Sequence, residues 1–334
     1  MPRLFVFGMG YSALALAQIV LAEGWQVAGT CRTEAGAAAL RQVGVEAFLF
    51  DGTAPAKSAS PLEGEAGSES RVGGMARPSH SRREGGESPP HPSTLRVADL
   101  LLKGGGAAGG HLLAGATHLL ASIPPDADDP ALRHHMADIA ALPELVWAGY
   151  LSTTSVYGVS DGSRVNETSL CAPTSARGQR RLAAERAWQA LPLPAHVFRL
   201  SGIYGPGRSV FDTIREGKAQ RIVKPGQAFN RIHVADIARA LRASIEHPNA
   251  GRIYNLADDL PAPSTDLVAY ACELLGVAPP PLIPFDHAEL SPMAREFWAD
   301  NKRVSNQRIK DELGVRLLYP TWRDGLDAIF AAGS

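Results

Sequence analysis

Cysteine is scarce in this chain, and its three copies, Cys31, Cys171 and Cys272, lie far apart among 334 residues. Three thiols in no paired spacing exclude a disulfide framework and a cysteine-based zinc site, and they suit a reducing compartment. An excess of either charge is lacking as well. Lys and Arg number 33 against 34 Asp and Glu, a formal net charge of -1, so no global positive field points to nucleic acid or to an anionic membrane. Long apolar runs are also missing. The stretch from Leu4 to Leu21 is broken by Gly8, Gly10, Tyr11, Ser12 and Gln18, and no small-residue cleavage pattern follows before Glu23. It reads as neither a signal peptide nor a membrane span. Histidine offers one adjacent pair, His134-His135, whose side chains diverge on a helix, so no metal site is expected. These absences predict a cytoplasmic protein with a small-molecule substrate and no nucleic-acid or membrane partner. Homodimerisation is left open.

What is present is a core-forming composition, 45% hydrophobic, enough for one large domain or one domain with a smaller lobe. Leu4 to Phe7 is a short continuous apolar run, as in a buried parallel strand. A glycine turn follows, then a helix from Ala13 to Ala22 ending at Gly24. The alternation continues with a strand from Gln26 to Gly29, a helix from Ala35 to Gln42, and a strand from Glu46 to Phe50. Further strands are expected at Thr117 to Ala121, Val146 to Ser152 and His196 to Leu200. Helices should start at Asp129-Pro130 and run through Ala183 to Gln189. This βαβ rhythm predicts the α/β class, a Rossmann-type doubly wound parallel sheet over residues 1–200. The more mixed residues 201–334, with proline-rich turns, predict a smaller mixed C-terminal substrate lobe, some of whose segments return to the Rossmann core. Between Ala54 and Thr94 the chain is Ser, Pro, Gly, Glu and Arg with almost no large apolar residue, so a disordered insertion is expected there. Gly104 to Gly110 reads as a flexible joint, because no strand feeds it.

The first turn carries the clearest chemistry. In Gly8-Met9-Gly10-Tyr11-Ser12-Ala13 the first glycine permits a tight turn, the second lets a pyrophosphate approach the backbone, and the small Ala13 allows helix–strand packing. The helix N-terminus would meet the phosphates with free N–H groups and positive partial charge. At the end of the second strand an NAD site presents an acid to the ribose. Here the residues are Thr30-Cys31-Arg32-Thr33, and Arg32 suits a 2′-phosphate. NADP is therefore the expected cofactor, with NAD the lesser candidate. A solvated loop arginine is the alternative. Asp51 would face the adenine, or form the turn before Gly52.

Three later stretches carry a family resemblance: Leu151-Ser-Thr-Thr-Ser-Val-Tyr-Gly158, Phe198-Arg-Leu-Ser-Gly-Ile-Tyr-Gly-Pro-Gly207 and Arg231-Ile-His-Val-Ala-Asp-Ile-Ala238. Together with the glycine turn, they make the sequence similar to the NAD(P)-dependent epimerase/dehydratase family, the extended-like atypical branch of the short-chain dehydrogenase/reductases. The resemblance implies that Thr153 is the active-site hydroxyl. It implies that Ser201 lies against the nicotinamide, that Ser122 and its neighbours lie in the loop covering the cofactor, and that Asp128 or Asp129 falls near the family's structural Asn, Asp129 being equally explained as a helix cap. It also implies a Tyr-x-x-x-Lys pair on one helix face, and here the sequence departs from the pattern. The register puts Arg177 at the Tyr position and Arg181 at the Lys position. Arginine stays protonated, so Arg177 cannot act as a base, whereas Arg181 could still bind ribose or phosphate. Tyr157, with no Lys four residues on, is by the resemblance mostly a packing residue and otherwise the substitute acid/base candidate, and Arg208, Arg231 and His233 are candidates for holding an anionic substrate. The expectation is an NADP-binding oxidoreductase, epimerase or dehydratase acting on a polar, sugar-nucleotide-like substrate. The alternative is a non-catalytic NADP-binding sensor or scaffold.

Overall fold

The computed structural model describes residues 1–59 and 112–333. Short apolar segments rich in Val, Leu, Phe and Ala supply the strands of a central sheet, because each must bury both faces. In chain order the strands are β1 (Arg3–Phe7), β2 (Gln26–Cys31), β3 (Glu46–Leu49), β4 (Lys57–Ser58), β5 (His118–Ala121), β6 (Trp147–Thr153), β7 (Arg164–Val165) and β8 (Ala195–Leu200). They continue as β9 (Gly202–Tyr204), β10 (Arg221–Val223), β11 (Arg231–His233), β12 (Ile253–Leu256), β13 (Leu282–Pro284) and β14 (Arg303–Val304). Eight of them form one sheet in the order β12-β8-β6-β5-β1-β2-β3-β4. All its pairs are parallel except β3 with β4. The chain reverses its direction of travel across the sheet between β1 and β5, which opens a crevice at the strands' carboxyl ends there.

Helices cover both faces. One side holds α1 (Tyr11–Ala22), with Leu16 and Val20 against Ile237, Leu241 and Ile245 of a helix spanning Val234–Glu246. The other holds α2's successors in the chain, Pro130–Ala140 and Ala176–Ala190 (here α3 and α4, α2 being Glu34–Gln42), through Leu132, Ile139, Ala184 and Trp188. The remainder of the second half builds a lobe around Phe211, Ala271, Trp322 and Leu326. From the second half of the chain, β12 closes the sheet edge beside β8, pairing Tyr254 with Phe198.

The helix that Ala183 to Gln189 continues begins at Ala176, capped by the Ser175 side chain, and so carries Arg177 and Arg181. One expectation needs correction: the first residues of the segment expected to be disordered from Ala54 are ordered. Lys57–Ser58 pairs with β3, and buried Ala56 donates its N–H to His135 Nε2 at 3.0 Å. Residues 60–94 of that segment and the Gly104 to Gly110 run lie outside the described residues.

Candidate functional site

The crevice at the β1–β5 switch is a cleft of about 510 Å³, lined by the glycine turn, Thr30, Arg32, Asp51, Ser122 and Ile123. Gly8 sits at φ +83°, and a Cβ there would lie 2.6 Å from Ile123 Cγ1, so only glycine fits the turn. Thr30, fully buried, accepts the Gly8 N–H on its hydroxyl at 2.8 Å and the Met9 N–H on its carbonyl at 2.7 Å. Thr30 therefore serves the site by fixing the loop. Gly10 is the N-cap of α1 and makes no side-chain cap, whereas α2, α3 and α4 are capped by Thr33, Asp129 and Ser175. The first-turn amides of α1 are left for a ligand, and Ser12 and Ala13 are buried beneath them. A Cβ on Gly10 would meet nothing closer than Gly8 O at 3.9 Å, so the space above it is open. These features fit a dinucleotide pyrophosphate.

Arg32 stands exposed at the rim. Asp51 also lines the cleft, but its Oδ1 already accepts the Thr53 N–H and hydroxyl at 2.9 and 2.7 Å, and those bonds hold its carboxyl below the usual range. Tyr11 turns away from the cleft and donates to Pro206 O at 2.9 Å, with the Arg208 guanidinium 5.9 Å above its ring. It clasps α1 to the Gly205–Gly207 loop. Cys31, Phe50, Ile123, Pro124, Asp126 and Pro130 also line the cleft. Of these, Phe50, Asp126 and Pro130 were not expected at the site; all three lie between the carboxyl end of a strand and the first turn of the next helix, which is the one signal that finds them.

Farther along the sheet edge, Thr153 ends β6 and caps a 3₁₀ turn, accepting the Ser155 N–H at 3.2 Å and donating to Ser155 Oγ at 3.3 Å. Thr154 and Ser155 line a small cavity with Gly202, Asn230 and Lys302. Ser201, one residue before that Gly202, is buried and its Oγ meets no hydrogen-bond partner among the described residues. An orphaned buried hydroxyl at the place where the nicotinamide is expected fits a cofactor amide, since such a group seldom goes unsatisfied.

The model of the NAD dependent epimerase/dehydratase family matches residues 143–257, the segment holding β6, β8 and β12. A solved structure of a functionally unknown conserved protein from Silicibacter pomeroyi DSS is 42% identical, with a TM-score of 0.78 over 100% of this chain and 99% of its own. The chain belongs to the NAD dependent epimerase/dehydratase family. It is also 26% identical to Protein YeeZ of Escherichia coli (strain K12), over 96% of this chain and 97% of that one. The fold is shared with a dTDP-glucose 4,6-dehydratase from Bacillus anthracis solved in complex with NAD, 14% identical with a TM-score of 0.69 over 99% of this chain and 96% of that one.

Within this family, the helix after the β6 turn is the part that departs most from the expected arrangement. Arg181 is buried and donates to Leu151 O at 2.7 Å and to the Tyr150 hydroxyl at 3.2 Å. It braces β6 and is not available to ribose, which corrects that expectation. Arg177 is exposed in the first turn of α4. Tyr157 is a second correction. It lies in the core, donating to Asn255 Oδ1 at 2.7 Å, with the Arg199 guanidinium 4.9 Å over its ring. Burial pushes its phenol up to about 12, so it is no acid/base at the cleft. Arg199 is gripped through Glu185 by hydrogen bonds of 2.8, 3.1 and 3.3 Å, and Ser152 donates to the same carboxylate at 2.5 Å. Asp129 is a third. It is buried, accepting from Leu132 N at 3.0 Å and Trp188 Nε1 at 3.1 Å, and it joins α3 to α4. Its carboxyl is raised by burial.

The expected substrate residues divide. Arg208 is exposed beside Tyr11. Arg231 lines an inner cavity of about 230 Å³ in the lobe but donates to Phe229 O and Ala262 O at 3.0 and 3.1 Å. His233 is buried and caps the Val234–Glu246 helix, accepting from Ala235 N at 3.2 Å. Burial without a counter-charge lowers it to about 4, so it is neutral and holds no anion. No helix among the described residues is long and apolar enough to cross a membrane.

Proposed function

We propose that the chain is an NADP-binding oxidoreductase or epimerase of its family, acting on the carbonyl or secondary alcohol of a polar, sugar-nucleotide-like substrate. The observation that carries the reading is the continuity of the sheet edge. The carboxyl ends of β1, β5, β6 and β8 lie side by side, so the cleft suited to a pyrophosphate at α1, the Thr153–Ser155 turn and the Ser201–Gly202 loop follow neighbouring strands. Arg32, in place of an acid at the end of β2, supports NADP over NAD through charge-assisted hydrogen bonds to a 2′-phosphate. When bound, the nicotinamide supplies or accepts a hydride. Gly8, Thr30 and the α1 N-terminus hold the phosphates, Ser201 and Ser122 bound the ring's side of the cleft, and Thr153 with Ser155 positions the reacting oxygen. The substrate enters from the lobe side, where Phe229 and Arg231 form the wall.

A second reading is supported by the buried Tyr157 and the committed Arg181, which leave no phenol–amine pair at the cleft. On that reading the protein is an NADP-binding sensor or scaffold. Calorimetry with NADP and NAD, followed by nicotinamide absorbance and product analysis on a panel of carbonyls, alcohols and sugar nucleotides, separates the two. Binding with turnover supports the enzyme. Tight binding with no product of any kind supports the sensor, and binding to neither nucleotide overturns both.

A further inference from the structure

The chain has only six lysines, and one of them, Lys302, is 95% withdrawn from solvent in the lobe facing the β6 turn. Lysine is seldom buried without a reason, since its charge must be compensated. Lys302 donates to Asp300 Oδ2 at 2.7 Å, which uses one of three ammonium donors. Its backbone is placed from two directions. Asn230 donates to the Lys302 carbonyl at 2.9 Å and accepts the Val304 N–H at 2.8 Å, while β14 pairs with β7. Both members of the ion pair line the cavity that Thr154, Ser155 and Gly202 close from the sheet side. That cavity measures about 40 Å³, room for one small polar group or one or two waters. The stacked rings of Phe229 and Phe297, 5.0 Å apart and 4° from parallel, line one side of it. By contrast, Lys224 and Arg303 on the outer side of the lobe spend donors on Trp298 O, Asn301 Oδ1 and Gly226 O.

We propose that Lys302 is a catalytic residue, the proton donor to a substrate carbonyl oxygen seated between it and Ser155, in the role that neither Arg177 nor Tyr157 can take. This assignment rests on the oxidoreductase reading above. As a hydride adds to the carbonyl carbon, the C=O π pair moves to oxygen, that oxygen takes a proton from the Lys302 ammonium, and the neutral amine is reprotonated from solvent. Oxidation of an alcohol runs the same transfers in reverse. Asp300 holds the amine in place between turnovers. The compartment therefore selects substrates whose reacting oxygen stands clear of its neighbours, and it leaves the bulk of the substrate in the lobe.

The first test uses binding alone. In full-length protein with ¹³C-labelled lysine and saturating NADP⁺, acetone forms a complex that cannot react. The Lys302 ε-carbon signal, assigned by its loss in Lys302→Met, should shift on acetone addition, and the shift should vanish in Ser155→Phe, which fills the cavity. A signal that stays still up to the highest acetone concentration the fold tolerates overturns the assignment. The second test uses NADPH and a panel of small ketones and aldehydes. Lys302→Ala should bind NADPH as the wild type does, lose roughly 10²–10⁴-fold in hydride transfer, and regain part of it with added methylammonium. Unchanged transfer in Lys302→Ala, a loss that no amine restores in a variant of normal melting temperature, or a wild type that binds NADPH but reduces nothing, each overturns it. If no nucleotide binds at all, the family reading of the cleft has failed, and calorimetry shows that separately.

Discussion

The cofactor cleft and the β6–α4 seam are both assembled from motif positions, yet they use their residues in opposite ways. At the cleft, small residues withdraw: Gly10 leaves open space before the first-turn amides of α1, Gly8 and Gly29 leave room for Ile123 and Met9 to pack close, and Arg32 stands exposed at the rim. At the seam, large polar residues turn inward. Arg181, Glu185, Arg199 and Tyr157 are all buried and spend their bonding on one another's neighbourhood, from Leu151 O to Asn255. A ligand site keeps groups unsatisfied until the ligand arrives. A structural network satisfies them at once, and a group so satisfied has little left to offer a substrate.

The largest effect that would break this comparison lies in the seam. Glu185→Ala leaves the Arg199 charge buried and unpaired, so stability should fall by about 3–5 kcal/mol, read from the urea midpoint. Replacing both partners, Glu185→Leu with Arg199→Met, should recover much of that loss. A drop under about 1 kcal/mol would mean the pair is solvated and the seam is no core at all.

Next in size is a contrast between two neighbouring glycines. Gly8→Ala forces a Cβ to 2.6 Å from Ile123 Cγ1 at a positive φ and should cost about 1–3 kcal/mol of stability as well as nucleotide affinity. Gly10→Ala, at an ordinary extended φ of -91° with open space above, should leave the melting temperature unchanged and weaken only the nucleotide. If both variants lose stability equally, the space above Gly10 belongs to the protein and not to a phosphate.

Both glycines stood out in the sequence, because a turn between an apolar run and a helix is local. The order of Ala54 to Ser58 did not, since Lys57–Ser58 becomes a strand only when β3 offers an edge and His135 takes the Ala56 amide. Lys302's cavity was equally invisible, because it arises where Thr154–Ser155 and Lys302, from opposite halves of the chain, close on each other.

A smaller effect concerns Arg32. NADP should bind at least about tenfold tighter than NAD, as expected from one charge-assisted bond of about 1.5–3 kcal/mol, and Arg32→Asp should narrow or reverse the gap. Equal calorimetric affinities would return Arg32 to the solvent.

The smallest is a pH effect at His233, whose folded value of about 4 lies below its ordinary 6.5. Between those values the unfolded chain binds the extra proton, so stability should decline as the pH falls through that window. His233→Asn keeps a capping acceptor and should show a shallower drop in melting temperature from pH 7 to pH 5. An identical slope would mean that His233 is protonated in the fold.

The sequence alone determined the parallel sheet, the glycine turn and the arginine at the end of β2, since apolar period, turn stereochemistry and charge are properties of a few adjacent residues. Only the tertiary structure decided which polar residues face a ligand. Arg181 occupies a position that the family resemblance aims at the cofactor, and Tyr157 stands beside the motif as a substitute phenol, yet Leu151 O and Asn255 take them first. A side chain's chemistry is fixed by its type, but its availability depends on partners that reach it from distant parts of the chain.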